Sequence, residues 1–443
     1  MTAVCIIGAG WSGLAAAVEL SRHNIPVTVY ESARQTGGRA RDVVIDGITI
    51  DNGQHLMIGA YTELLALLKV TGITESDVFL RMPQHIRLVD LATGKDAFEL
   101  KLPRWPAPLH LLGGMFACPS LSFADKVKTL WRFNKILNNT LTTDISVSQW
   151  LQHAGLPHAY TNNLLKPLCL AALTTHPDQA SARAFQTVLQ QTFNGRAANT
   201  DLLIAKTTLG HIFPAAAKKY IESHGGQVLC SHKVDEINPE GNTIKVNNQA
   251  VTYQQLILAT PPYITQQLLK THSAFDNISH NLAALEYGPV CTVYLQYPPD
   301  IRLPLPMLGC LNSTSEWLFD RIYCNQPGLI AVIISADGPH MLQSNDELTD
   351  IIKSELATLF PNWPEPVSRH VIREKRAGFS CLVNIDNLRP PGHSAFKNLK
   401  LCGDYVYIEN NCQAGLPATL EGAVRSGVKC AQQTLEDMQA CNT

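Results

Sequence analysis

The chain has 443 residues, 45% of them hydrophobic and 16% charged, with 35 Lys and Arg against 37 Asp and Glu for a formal net charge of −2. That balance excludes a basic nucleic-acid-binding face and an acidic disordered chain, and the length exceeds one simple core at about 150 residues per domain. Twelve scattered cysteines with no C-x-x-C pair exclude a zinc-ribbon or thioredoxin-type motif, give no metal site, and read as small buried hydrophobes in a reducing cytoplasmic compartment.

In chain order, "AVCIIG" (3–8) is a short apolar run suited to a central parallel strand. No basic stretch precedes it and glycines cut it short, which argues against a secretory signal. Gly13 to Arg22 has helical spacing, Asn24 ends it, and "IPVTVYE" (25–31) is a second strand rich in β-branched residues. The turn between strand and helix holds Gly8, Ala9, Gly10, Ser12 and Gly13 in the spacing G-x-G-x-x-G. Gly8 permits the tight turn, Gly10 lets backbone amides approach a pyrophosphate, and Gly13 lets helix and strand pack closely. Glu31, at the end of the second strand, can accept from two ribose hydroxyls and repels a 2′-phosphate.

Gly37, Gly38 and Arg39 follow in "ESARQTGGRA" (31–40), adding a second glycine turn and a fixed cation. Such an addition suits a larger, more extended cofactor than NAD. In "IDNGQHLMIGAY" (50–61), Asp51, Asn52, Gly53, Gln54 and His55 set polar groups beside apolar flanks, as at a ring-binding site. A lone histidine such as His55 is more often structural than catalytic.

Residues 61–80 read as helical, and "RLVDLATGKDAFEL" (87–100) as a hairpin around Thr93-Gly94-Lys95. The stretch Trp105 to Ala124 has no Asp, Glu, Lys or Arg, but Pro106, Pro108, Gly113, Gly114 and Pro119 should break a helix. A buried loop or channel wall is expected there, with a monotopic membrane contact as the second reading. Residues 121–220 are helix-rich, 225–262 read as several strands closing on "LILATPP", 286–335 as strands and 344–360 as a helix. "LKLCGDY" (399–405) starts a last βα unit. Its strand ends at Gly403-Asp404, and Leu416, Pro417, Ala418 and Thr419 open a helix whose N-terminus can face a flavin ring or a diphosphate.

The ordered set of Gly8-x-Gly10-x-x-Gly13, Glu31-x5-Gly37-Gly38-Arg39, "LILATPP" and Gly403-Asp404 resembles the flavin-containing amine oxidase and phytoene desaturase superfamily. Within it, "DNGQHLMIGAY" (51–61), "KPLCLAALTTHPDQASA" (166–182) and "GLPATLEGAVRSG" (415–427) resemble the hydroxysqualene dehydroxylase family of bacterial hopanoid biosynthesis. Thr174 departs from that pattern, in which Asn is expected.

The resemblance implies an α/β fold. A Rossmann-like FAD-binding domain of amine oxidase type would take residues 1–80, 205–270 and 396–443. An inserted substrate domain would be largely helical over 81–204 and a mixed sheet over 271–395. The implied cofactor is non-covalent FAD, held by Gly8, Ala9, Gly10, Ser12, Gly13, Glu31, Gly37, Gly38, Arg39, Gly53, Gln54, His55, Gly403, Asp404, Leu416, Pro417, Ala418 and Thr419, with Val234 beside the adenine. Cys412 sits near the C-terminal motif and could in principle carry a covalent flavin, but its local pattern differs from that of the amine oxidase cysteine.

The implied reaction is reductive removal of the hydroxyl of hydroxysqualene to give squalene. It needs a hydride from reduced flavin and a proton donor, for which His55, Asp51 and Lys206 are candidates. Tyr61, Trp105 and Tyr287 are candidate cavity-lining aromatics, although core packing is the simpler role for each. A carotenoid-type desaturase, an amine oxidase and a non-catalytic flavin-bearing isoprenoid-binding protein are the alternatives. A long-chain isoprenoid must leave a bilayer to react, so peripheral contact with the inner face of the membrane is expected.

Overall fold

A buried βαβ unit opens the chain in the computed structural model, which describes residues 2–408 and 414–440. Strands Thr2–Ile7 and Val27–Tyr30 flank the helix Trp11–Arg22, which is buried from Trp11 to Ser21. So complete a burial needs small residues on the faces that meet other elements. Gly427 of the last helix, Leu420–Ala440, supplies one contact: a Cβ there would lie 2.1 Å from the Ser12 carbonyl oxygen.

The βαβ unit sits in a seven-stranded sheet. Gln227–Leu229, Val27–Tyr30, Thr2–Ile7, Gln249–Leu258 and Leu399–Leu401 run parallel, and Val234–Asn238 and Thr243–Val246 extend it as an antiparallel meander. Three pieces far apart in sequence thus share one sheet. A second seven-stranded sheet is ordered Ser368–Phe379, Tyr287–Gln296, Leu329–Ser335, Trp317–Asp320, Met307–Leu311, His85–Asp90 and Lys95–Lys101. Its one parallel pairing joins Met307–Leu311 to His85–Asp90, so the early hairpin completes a sheet built mostly from later residues. A three-stranded sheet of Met57–Ile58, Leu202–Ala205 and Phe79–Met82 ties the N-terminal segment to the end of the helical segment.

Two local expectations are corrected. Residues 61–80 are not one helix. Thr62–Val70 stops where Gly72 takes φ +79°, a short helix follows at Glu75–Val78, and Phe79–Met82 is a strand. The segment from Trp105 to Ala124 is not a buried loop, because Leu109–Ala117 is a helix carried on the surface. Pro106 and Pro108 precede it, where a missing N–H breaks no helical bond. Gly113 and Gly114 lie inside it as packing notches: a Cβ on Gly113 would lie 2.5 Å from the Trp105 ring, and one on Gly114 2.4 Å from the Leu102 side chain. Among the described residues, no helix is long and apolar enough to cross a membrane.

Candidate active site

The cofactor end is built from glycine turns. Gly8 has φ +106°, and a Cβ there would fall 2.6 Å from the Ala259 carbonyl oxygen; one on Gly13 would fall 2.0 Å from that of Gly8. Neither position has room for a side chain. A Cβ on Gly10, by contrast, would meet nothing within 4 Å. The space lies over the start of a helix whose first-turn amides lack intrahelical partners. The second glycine turn lies against the first: the Gly37 amide donates to Ala9 O at 2.8 Å, and a Cβ on Gly38 would be 3.2 Å from the Gly10 Cα.

Glu31 braces this cradle. Its carboxylate accepts from the Ala9 amide at 2.7 Å and the Ala33 amide at 2.8 Å. A carboxylate has about four lone-pair positions, so acceptor capacity remains for ribose hydroxyls. The Ser231 and His232 amides donate to Ala33 O and Glu31 O, which brings buried Val234 to the same end. Amide donors, a cradle that only glycine leaves open and a ribose acceptor together fit an adenine dinucleotide.

Arg39 joins this end to the rest of the molecule. Its guanidinium pairs with Asp404 at 2.7 Å and donates to Ala377 O at 2.7 Å, at the end of the long strand Ser368–Phe379. Gly403, before Asp404, is held by donating its amide to Ser426 Oγ at 3.0 Å. The residues before the last helix converge here too: a Cβ on Gly378 would be 2.5 Å from that of Ala418, and Thr419 Oγ1 accepts from the Gly422 amide. Leu416 and Pro417 lead into this turn. Cys412 lies outside the described residues.

The loop 51–55 is held by a buried ion pair absent from the sequence-based expectations. Asp51 pairs with Arg321 at 2.6 Å, and both side chains are almost fully buried. Its other oxygen accepts from the Leu209 amide at 2.7 Å, and its carbonyl accepts from Tyr294 Oη at 2.9 Å. Both carboxylate oxygens are engaged, so Asp51 positions the loop and does not present a proton. Arg321 also donates to Gln54 Oε1, fixing the next polar side chain. His55 Nδ1 lies 2.8 Å from Gly53 O. A carbonyl only accepts, so Nδ1 carries the hydrogen and Nε2 is left as an acceptor. Burial lowers the His55 pKa and keeps the ring neutral near pH 7. Lys206 is exposed and donates to Ser76 O at 2.7 Å, which removes it from the candidate proton donors.

The strand Tyr287–Gln296 crosses this loop and carries two hydroxyls without partners. Thr292 is buried with Oγ1 unpaired, and a Cβ on Gly53 would be 3.8 Å from it. The Tyr287 hydroxyl is likewise buried and unpaired. Its ring packs edge-on to Tyr263, and the Arg376 guanidinium lies 4.3 Å from the Tyr263 ring centre and 5.4 Å from that of Tyr287. Buried polar atoms are rarely left unsatisfied. Their position beside Gly53 and the Arg39–Ala377 joint fits the polar edge of a bound ring and its substrate. Thr174 adjoins this region, because a Cβ on Gly288 would lie 2.5 Å from its carbonyl oxygen.

Tyr61 is half-buried beside the helix Thr62–Val70, and Trp105 lines a cavity of about 390 Å³ with Arg81, Leu102, His110 and Thr200. Sequence reasoning missed Arg321, Thr292 and Arg376. The only available signal was the charged pair Asp320-Arg321 directly after the apolar run "WLF".

Comparison with known proteins agrees with this arrangement. The chain is 27% identical over 463 residues to a hydroxysqualene dehydroxylase of Sinorhizobium fredii, covering 98% of each chain. It is 23% identical to a 15-cis-phytoene desaturase of Solanum lycopersicum, covering 98% of this chain and 78% of the relative. Its fold is similar to the solved structure of cyclohexylamine oxidase from Brevibacterium oxydans, with TM-score 0.69, 17% identity and 99% of each chain covered. The family model described as flavin containing amine oxidoreductase matches residues 11–435. With the glycine cradle, Glu31 and the Arg39–Asp404 joint all inside or bordering that span, the chain belongs to the flavin containing amine oxidoreductase family.

Proposed function

We propose that this flavoenzyme binds FAD non-covalently and reductively dehydroxylates a long-chain isoprenoid alcohol, hydroxysqualene, to squalene. Residues 1–80, 205–270 and 396–443 would form the FAD-binding part, and 81–204 with 271–395 the substrate-facing part. The enzyme would work in the cytoplasm, in peripheral contact with the inner face of the membrane. The full-length likeness to a hydroxysqualene dehydroxylase carries this assignment, because it spans cofactor-facing and substrate-facing segments alike. The likeness to amine oxidases of known structure stays at the level of fold.

Bound and reduced, the flavin supplies the hydride that replaces the hydroxyl, which leaves as water after taking one proton. The protein's own groups do the rest. The glycine turns and Glu31 hold the adenosine and diphosphate. Tyr287 holds the donor proton: burial raises its pKa, so the hydroxyl keeps its proton. Neutral His55 offers Nε2 as an acceptor that can orient a hydroxyl or the departing water. Arg376 occupies the faces of Tyr263 and Tyr287, where it would repel an ammonium substrate and so disfavours an amine.

The test adds hydroxysqualene to the anaerobically reduced holoprotein, and phytoene or a polyamine to the oxidised holoprotein, in separate vessels. Squalene formation with flavin reoxidation is the expected result. Reaction of the oxidised enzyme with phytoene, or of a polyamine, would overturn the assignment in favour of a desaturase or an amine oxidase. Tyr287→Phe should lower the dehydroxylation rate by about 100-fold with flavin content unchanged.

A further inference from the structure

We propose that Trp105 and the helices Leu109–Ala117 and Phe123–Asn138 form a docking face for an anionic bilayer, and that the cavity under Trp105 opens to it. This deepens the proposed function by naming the partner surface. It rests on that function only for the identity of the molecule taken up.

Seven of the eleven strongly exposed large hydrophobic side chains among the described residues fall between 105 and 131. On the first helix, Leu109, Leu112 and Phe116 recur at i, i+3 and i+7, while His110, Gly114 and Met115 face inward. On the second, Phe123, Val127 and Trp131 recur every four residues, with Phe123 72% and Trp131 66% exposed. Thr129, Ile136 and Leu137 face inward there. Each helix is therefore amphipathic with its apolar stripe turned away from the core.

The stripes form one surface. The Phe116 and Phe123 rings are 6.1 Å apart, Lys126 Nζ donates to Phe116 O at 2.8 Å, and the Trp105 ring lies in the notch at Gly113.

Charge selects the occupant. Of the six cations in residues 101–138, Arg132 donates to the Ala154 and Gly155 carbonyl oxygens, which leaves Lys101, Arg104, Lys126, Lys128 and Lys135 against the single acid Asp125, in a chain of net charge −2. A second copy docked face to face would oppose these cations. Anionic headgroups neutralise them, and an exposed tryptophan with a lysine above it suits the headgroup level: Lys135 Nζ lies 5.7 Å from the Trp131 ring. No described helix is long and apolar enough to span a membrane, so these two would lie in the interface plane.

The cavity continues inward from the docking face. His110 lines it, 2% exposed, with neither ring nitrogen hydrogen-bonded. Burial lowers the His110 pKa, so the neutral ring offers one donor and one acceptor. Leu102, Pro103, Trp105 and Pro106 form its apolar wall, and His110, Arg104 and the paired Arg81 and Asp201 its polar one, which suits an amphiphile with a polar end.

Flotation of the holoprotein tests the docking. It should rise with vesicles of equal parts phosphatidylcholine and phosphatidylglycerol, rise less as salt is added, and rise little with phosphatidylcholine alone. Phe123→Ser with Trp131→Ser should abolish flotation with melting temperature and flavin content unchanged. Lys128→Gln with Lys135→Gln should weaken it about fivefold per charge removed. Overturning results are flotation unaffected by the serine pair, no flotation with either vesicle, or a dimer in light scattering that the serine pair dissociates. Turnover separates this from the reaction assignment. The serine pair should slow reaction of hydroxysqualene supplied in anionic vesicles but not in detergent micelles. No turnover in either form, with flotation intact, would reject the reaction and leave the docking face standing.

Discussion

Replacing Arg321 by Met tests how the loop 51–55 is held. Arg321 and Asp51 meet at 2.6 Å with almost no solvent access, 270 positions apart in sequence. Met keeps much of the volume but leaves the Asp51 carboxylate buried without its cation. Such a loss costs about 3–5 kcal/mol, a fall in melting temperature of about 3–5 °C for a chain of this length. Asp51→Asn should cost a similar amount, since it strands the guanidinium while the amide oxygen still accepts from Leu209. The double variant removes both charges, so it should be more stable than the sum of the single losses predicts, by about 2 kcal/mol or more. Urea unfolding followed by circular dichroism gives the three stabilities. Flavin retention should behave differently: Arg321 also holds Gln54, so the double variant should regain stability without regaining full flavin affinity. Additivity within about 0.5 kcal/mol would refute the ion pair as the source of the stability.

Three further outcomes are expected. Gly10→Ala should leave apoprotein stability unchanged, because its Cβ meets no protein atom, yet weaken flavin binding at least tenfold by fluorescence titration; Gly13→Ala should instead destabilise the apoprotein, its Cβ falling 2.0 Å from a carbonyl oxygen. Thr174→Asn should raise the melting temperature, with a gain of about 1 kcal/mol, because a β-branched residue held at φ +46° is strained where Asn is tolerated; equal or lower stability would refute the strain. Burial pushes the Glu316 carboxyl up to about 7 from 4.5, so the folded state keeps a proton that the unfolded chain releases. Its contribution therefore falls between about pH 4.5 and 7, and Glu316→Gln should be about 2 kcal/mol more stable than the parent at pH 8, the gap closing towards pH 5 in urea titrations.

The cofactor end was legible because its parts are neighbours in sequence. Gly8, Gly10 and Gly13 lie within one strand–helix turn, and Glu31 closes the next strand. The surroundings of the loop 51–55 were not, because their contacts are long-range. Arg321 reaches Asp51, Thr292 faces Gly53, and Arg376 covers Tyr287, each from a separate strand or turn of the second sheet. No local periodicity encodes these meetings. The surface helix failed for another reason. Proline and glycine were weighed as breakers, whereas Pro106 and Pro108 stand before its first turn and Gly113 is the space a tryptophan ring fills.

Arg39 shows why the two ends cannot be treated separately. From the sequence it is a fixed cation suited to an extended cofactor. In the structure its terminal nitrogens bind Asp404, after the last strand of the first sheet, and Ala377 O, at the end of a strand of the second. A guanidinium has five N–H donors, so donors remain for a cofactor after both contacts are made. One residue would therefore serve both a cofactor and the joint between sheets. A bound cofactor that used the remaining donors would restrict Arg39 further, and with it the relative position of Ala377 and Asp404. The cofactor motif near the N-terminus would then help to set where Tyr287, paired to Phe379 two residues beyond Ala377, stands against the substrate.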